Sequence, residues 1–444
     1  MKTISVVSVS VLLFASLGVA QEPSGDSGML IRNVRVWDGN ASTPTDPQDI
    51  LISGNLIKII GANLASAPGI EIIDGAGRIV IPGIIEAHTH IMLPISPSDA
   101  RAADPGYVAV RAAEEARGVL LRGWTTIRDM GGPSQGLAKA IDEGHAVGPR
   151  IYSAGIYISQ TSGHGDSRGL NELHPNMGAS PNALTNRYVL IADGPTEIRR
   201  AVRESLRHGA TSIKVMAGGG ISSDYDPIDT VQYSVEELRA AVVAAEQWNT
   251  YVSVHAYTDA AVRNALEAGV KVIEHGHLLS EDTLKLLKSK EAYLSTQSFG
   301  FVRTYLRPDA SSNRGSKAVL VLEGIDNLMT NAKRLGIPVA FGTDSFGSAD
   351  VFRGAVKEFG YRLKWFSSEE ILKQATSVNA RLLALTGPRN PYPDGPLGVL
   401  VEGAYADLLI VDGNPLEDVA LLEDYEKNIR LIMKDGAVYK NTLD

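Results

Sequence analysis

The sequence predicts an α/β fold, a (β/α)8 barrel with a small β-sandwich-like domain built from both chain ends. Three observations carry this. Short β-type runs crowd residues 28–80 and 396–444. Between them, strand-like runs alternate with helical stretches over about 270 residues. Polar, metal-ligating residue types recur at the ends of those central runs. A doubly wound open sheet is the structural alternative, and the absence of a glycine-rich dinucleotide fingerprint in the first unit counts against it.

The elements follow in chain order. "MKTISVVSVSVLLFASLGVA" (1–20) carries one basic residue, an apolar Ser-rich stretch and a small-residue end. It reads as a cleaved signal peptide rather than a membrane anchor, so an exported, periplasmic or secreted protein is expected. "MLIRNVRVWDG", "DILISGNLIKIIG" and "IEIIDGAGRIVIPG" are β runs parted by Gly, Asn and Asp turns. "GVLVEGAYADLLIVDGN" and "NIRLIMKDGAVYKN" repeat the pattern at the far end. The two flanks are expected to pair as one small domain around a central domain spanning 81–395.

In that centre the strand-like runs are "IVIPGIIEAH", "WTTIRDM", "RIYSAGIYIS", "TSIKVM", "YVSVHAY", "KVIEHGH", "AYLSTQS" and "IPVAFGTD". Among the helices, "SVEELRAAVVAAEQW" opens on a Ser234/Glu237 capping box. "TDAAVRNALEAG" is closed by Gly269. Long connections at 159–193 and 298–317 would rise from the strand C-terminal face, where barrel active sites form.

Composition bounds the function. Hydrophobic residues at 44% and charged residues at 21% suit a globular protein with a sizeable core. With zero cysteines there is no disulfide, thiolate nucleophile or thiolate ligand. The net charge is −9, or −10 without Lys2, and no basic block stands out, so nucleic acid is not an expected partner. No second apolar span follows the first.

The polar strand ends carry the chemistry. In "EAHTH", His88 and His90 are one residue apart, so both rings share a face of a strand. Lys214 lies in "SIKVM", His255 ends "VSVH", His275 ends "VIEH" and Asp344 ends "FGTD". All six would project into one barrel mouth. Imidazole nitrogens and a carboxylate oxygen suit Zn²⁺ or a similar divalent ion. Four of the nine histidines fall at these positions, which scattered core histidines would not do. Lys214 is costly to bury charged. It could snorkel, form a Schiff base, or add CO₂ and become an anionic carbamate.

This set resembles the amidohydrolase superfamily in its binuclear-metal branch. The resemblance implies that His88, His90 and Asp344 bind one metal, His255 and His275 another, and that N6-carboxylated Lys214 and a hydroxide bridge the two. Asp344 would then accept the proton of the attacking water and pass it to the leaving amine. At finer grain "TSGHGD", "ATSIKVMAGGGISS", "SVHAY" and "VIEHGH" resemble exported Xaa-Pro dipeptidase- and carboxypeptidase-like amidohydrolases, including bacterial ochratoxin-hydrolysing amidases. That resemblance makes His164 and Tyr257 substrate-holding candidates. His277 joins them because it shares a strand face with His275. Each has a packing role as its bland alternative, and His145, His174 and His208 carry no functional expectation. Arg128 and Asp129 read as a structural ion pair.

The expected activity is metal-dependent hydrolysis of a dipeptide or N-acyl amino acid, a small molecule with a free carboxylate, by a homo-oligomer. A cyclic-amide or imidazolonepropionase-like hydrolase is the enzyme alternative, although the latter typically lack the bridging lysine. A metal-containing periplasmic binding protein is the non-enzyme alternative.

Overall fold

The computed structural model describes residues 28–66, 68–178, 187–223, 225–298 and 312–443. The expected signal segment 1–20 and parts of both long connections lie outside these residues. Among the described residues no helix is long and apolar enough to cross a membrane.

The chain opens with strands β1 (Met29–Val36), β2 (Pro47–Ser53), β3 (Leu56–Gly61), β4 (Glu71–Asp74) and β5 (Ile79–Pro82). It closes with β16 (Leu408–Val411), β17 (Ile429–Lys434) and β18 (Ala437–Asn441). One sheet joins both groups in the order β18-β17-β16-β5-β1-β2-β3, with β4 beside β1. The antiparallel β5–β16 pair, Ile81 opposite Leu409, is the seam between the two chain ends. Alternating side chains of these strands bury Ile31, Ile50, Ile52, Val80, Leu408, Ile410 and Leu431 in one core.

Between the flanks the strands are β6 (Ile84–Thr89), β7 (Trp124–Asp129), β8 (Arg150–Ser153), β9 (Tyr157–Ser159), β10 (Val189–Ile191), β11 (Ile213–Met216), β12 (Val252–Ala256), β13 (Val272–His275), β14 (Tyr293–Thr296) and β15 (Val339–Phe341). Every pairing among them is parallel. They run as β6-β7-β8 and as β10-β9-β11-β12-β13-β14-β15. The β6-β7-β8 series meets the other at both of its edges, beside β11 and beyond β15. Thr211 N donates to Ser153 O at 2.7 Å, and Asp344 N donates to His88 O at 2.7 Å.

Local sequence explains the element boundaries. The helix Val235–Glu246 starts at the capping box of Ser234 and Glu237, with both reciprocal hydrogen bonds present. The helix Asp259–Ala268 stops at Gly269, whose φ of 102° is left-handed. Two runs expected as single strands are split. "IVIPGIIEAH" breaks at Gly83, where a Cβ would lie 2.1 Å from Thr125 Oγ1, so β5 joins the shared sheet and β6 the parallel series. "RIYSAGIYIS" breaks at Gly155, with φ at 66°, giving β8 and β9.

Candidate metal centre

The candidate ligands lie in, or within three residues past, parallel strands, all but Lys214 toward the C-terminal end. His88 lies in β6 and His90 one residue past it, Lys214 is in β11, His255 in β12, and His275 is the last residue of β13. Asp344 lies three residues beyond β15. His275 and Asp344 both sit at positive φ, 72° and 53°, a conformation that costs a non-glycine residue of order 1–3 kcal/mol. There the chain leaves the strand and turns the side chain over the sheet end.

The six converge. His88 Nε2 and His90 Nε2 lie 3.4 and 3.3 Å from Asp344 Oδ1. One donor atom from each of the three fits within 4.8 Å of the others, so this trio could hold a cation. The His88 ring centroid is 5.1 Å from that of His275, which is 4.5 Å from that of His255. Lys214, at 1% exposure, lines the same cavity of about 560 Å³ with all five other residues.

Electrostatics suit a cation. Burial and the Lys214 ammonium push the His88 imidazole down to about 4, so it is neutral at pH 7. His255 and His275 are also lowered, by burial first and then by the neighbouring imidazoles and the Lys214 ammonium. Burial alone would raise the Asp344 carboxyl, but His88 and His90 outweigh it and hold it at about 2. Burial lowers Lys214 to about 8. Neutral imidazoles around an ionised carboxylate are a ligand set for a divalent ion of the zinc type.

A buried frame orients the ligands. Glu274 accepts from His88 Nδ1 at 2.8 Å and from Arg128 Nη2 at 2.8 Å, all three within the core. Gln297 Oε1 lies 2.9 Å from His275 Nδ1. Glu86 Oε1 accepts from His88 N and Thr343 N, each at 2.9 Å, tying β6 to the Asp344 turn. The Arg128–Asp129 ion pair does not form. Arg128 reaches Glu274 instead, while Asp129 Oδ1 accepts from Ile91 N at 3.0 Å, because neighbouring residues of a strand face opposite ways.

The substrate-holding candidates separate. His164 and Tyr257 line the cavity. His164 stacks on His255 at 4.1 Å, and Tyr257 lies 5.1 Å from His275. His277 does not line it. Fully buried, its ring is 6.4 Å from His275 and its Nε2 is 2.8 Å from Gln297 O. Sequence reasoning missed Glu274, Gln297 and Asp226, which hold the rings of His88, His275 and His164, and Gln232, which holds the His164 backbone. A buried acid inside the apolar "VIEH" was the one readable signal.

Comparison with known proteins agrees with this geometry. The sequence profile of the amidohydrolase family matches residues 79–439. Ochratoxinase of Aspergillus niger is 32% identical over 385 residues, covering 82% of this chain and 76% of that protein. A prolidase solved with N-methylphosphonate-L-proline superposes with a TM-score of 0.85 at 31% identity, covering 93% of this chain and 100% of that one. A Xaa-Pro dipeptidase with methionine in its active site gives 0.81 at 29% identity, covering 94% and 100%. With the profile spanning most of its length, the chain belongs to the amidohydrolase family and is a metal-dependent hydrolase of amide or peptide bonds.

Proposed function

We propose that this protein hydrolyses the amide joining an acyl group to the amine of an amino acid whose carboxylate is free: a dipeptide or N-acyl amino acid, with an apolar or aromatic residue released. The observation that carries the reading is the convergence of His88, His90, Lys214, His255, His275 and Asp344 in one cavity that His164 and Tyr257 also line. In this reading the parallel strands are a (β/α)8 barrel and the shared sheet is its small companion domain.

His88, His90 and Asp344 would hold one divalent ion, most simply Zn²⁺, and His255 and His275 a second, with carboxylated Lys214 between them. Bound ions supply Lewis acidity to a carbonyl oxygen and lower the pKa of water. The protein's own residues do the rest. Asp344, ionised and facing His88 and His90, takes the proton of the attacking water and returns it to the leaving amine. His164 and Tyr257 hold the carboxylate of the released residue and so fix the scissile carbonyl over the site. The acyl group would occupy the remainder of the cavity, whose lining includes Arg101, Arg168 and Arg314.

Paired substrates test this. The zinc-loaded enzyme should turn over N-benzoyl-phenylalanine at least about 10-fold more efficiently than its C-terminal amide, the cost of one lost charge-assisted hydrogen bond. Equal turnover of acid and amide would remove the carboxypeptidase-like reading and leave a general amidase.

A further inference from the structure

His164 is held more completely than a loop histidine needs to be. Its ring is stacked on one side by His255, nearly parallel at 12°. The backbone of Gly220 also packs against it: a Cβ there would lie 1.9 Å from His164 Cε1. That contact explains a glycine in the "AGGGISS" run: any side chain at 220 would displace the ring. The backbone N of His164 donates to Gln232 Oε1 at 2.8 Å. Its Nδ1 lies 2.8 Å from Ser223 Oγ and 3.2 Å from Asp226 Oδ2.

Asp226 is the hub of this group. It is 2% exposed. Oδ2 accepts from Gly220 N at 2.7 Å and from Gln232 Nε2 at 3.4 Å, and Oδ1 accepts from Ser223 Oγ. The carboxylate, which burial would raise but these donors hold below its ordinary value, can only accept, so His164 Nδ1 donates to it. The segment is fastened from outside by Lys317, in the helix Asn313–Leu335, which donates to Gly220 O, Ser223 O and Asp226 O at 3.0, 3.0 and 2.6 Å.

We propose that Asp226 is a positioning residue: it fixes the His164 ring by Nδ1 so that Nε2 is the nitrogen presented to the substrate, and Lys317 anchors the backbone that carries it. Two carboxylates then share one ring that donates from both nitrogens, Nδ1–H to Asp226 behind it and Nε2–H to the substrate's in front. The inference rests on His164 holding the substrate carboxylate, as proposed above.

A double-mutant cycle tests it on the zinc-loaded enzyme with N-benzoyl-phenylalanine and its amide. Asp226→Asn keeps the shape and one acceptor oxygen but removes the negative charge that faces His164 Nδ1. It should raise KM for the acid about 10-fold, change kcat less than about 3-fold, and lower the acid-to-amide preference. His164→Ala should do the same, and the double variant should be no worse than His164→Ala alone. Calorimetric Kd values for L-phenylalanine should follow KM, at unchanged zinc content. Additive losses, or a wild-type KM in Asp226→Asn, would overturn the relay. A wild-type KM in His164→Ala would instead overturn the substrate-holding role, and the relay with it. Should Asp226→Asn not fold, Ser223→Ala decides: it removes the hydroxyl nearest Nδ1, and an unchanged acid-to-amide preference would count against the proposal.

Discussion

In the proposed mechanism Asp344 and Lys214 are the two residues whose chemistry goes beyond holding a cation. Asp344 is kept ionised by His88 and His90 and also faces the space where substrate must sit. Asp344→Asn keeps an oxygen ligand but cannot take a proton. It should lower kcat by about 10²- to 10⁴-fold with most of the metal retained, as measured by atomic emission beside steady-state rates. Complete loss of metal would make Asp344 a ligand only. Lys214 is buried among four histidines and no carboxylate lies in ion-pair range of its Nζ among the described residues. Lys214→Ala should lose most metal and activity, and added short carboxylic acids with zinc should restore part of both. Full activity in that variant would rule out a bridging role. Both residues stand out as candidates in the amino-acid sequence because each is an ionisable or metal-ligating side chain in or at the end of an apolar run. His277 misleads for the same reason: strand alternation gives the face but not the depth, and Gly276, at a φ of 70°, turns the chain away from the cavity.

Among elements, the strands are tied to one another by polar groups whose partners lie far apart in sequence. β7 supplies Arg128, β13 supplies Glu274 and β6 supplies His88, in a fully buried chain. Glu274→Gln preserves shape but leaves Arg128 without its counter-charge and weakens the acceptor for His88 Nδ1. Metal affinity should fall about 10- to 100-fold, read by competition with a chelator. An unchanged affinity would reduce Glu274 to a packing role. Nothing local announces this link. The capping box at Ser234 and the stop at Gly269 are readable from sequence because they are contacts within one turn. The partner of Arg128 depends on strand order and register, so sequence adjacency points to Asp129 and misleads. The breaks at Gly83 and Gly155 are hidden for a related reason. A glycine in a strand run marks either a close approach or a turn, and only the packed neighbours say which.

Across the whole molecule the shared sheet and the parallel strands are joined by a buried charge cluster. Arg150, the first residue of β8, is 2% exposed and donates to Asp407 and Asp435, the latter at 2.6 Å. Its guanidinium lies 3.9 Å from the Tyr405 ring centroid. Arg150→Ala would strand Asp407 in the core, and breaking a buried pair in this way costs about 3–5 kcal/mol. The pH dependence has a definite sign. Burial holds the Asp407 carboxyl above its ordinary value, and Arg150 pulls it back down. A carboxyl whose folded pKa exceeds its unfolded one adds stability below the unfolded value, about 4, and loses it as pH rises through the folded value. Taking Arg150 away lifts the folded value further, so more stability is lost on the way to neutral pH. The melting temperature of Arg150→Ala should therefore fall below wild type by more at pH 8 than at pH 5. Arg150→Ala paired with Asp407→Leu should recover much of the deficit and flatten its pH slope, since no uncompensated carboxylate remains. A deficit independent of pH in the single variant would mean that lost packing on Tyr405, rather than the stranded charge, dominates this seam.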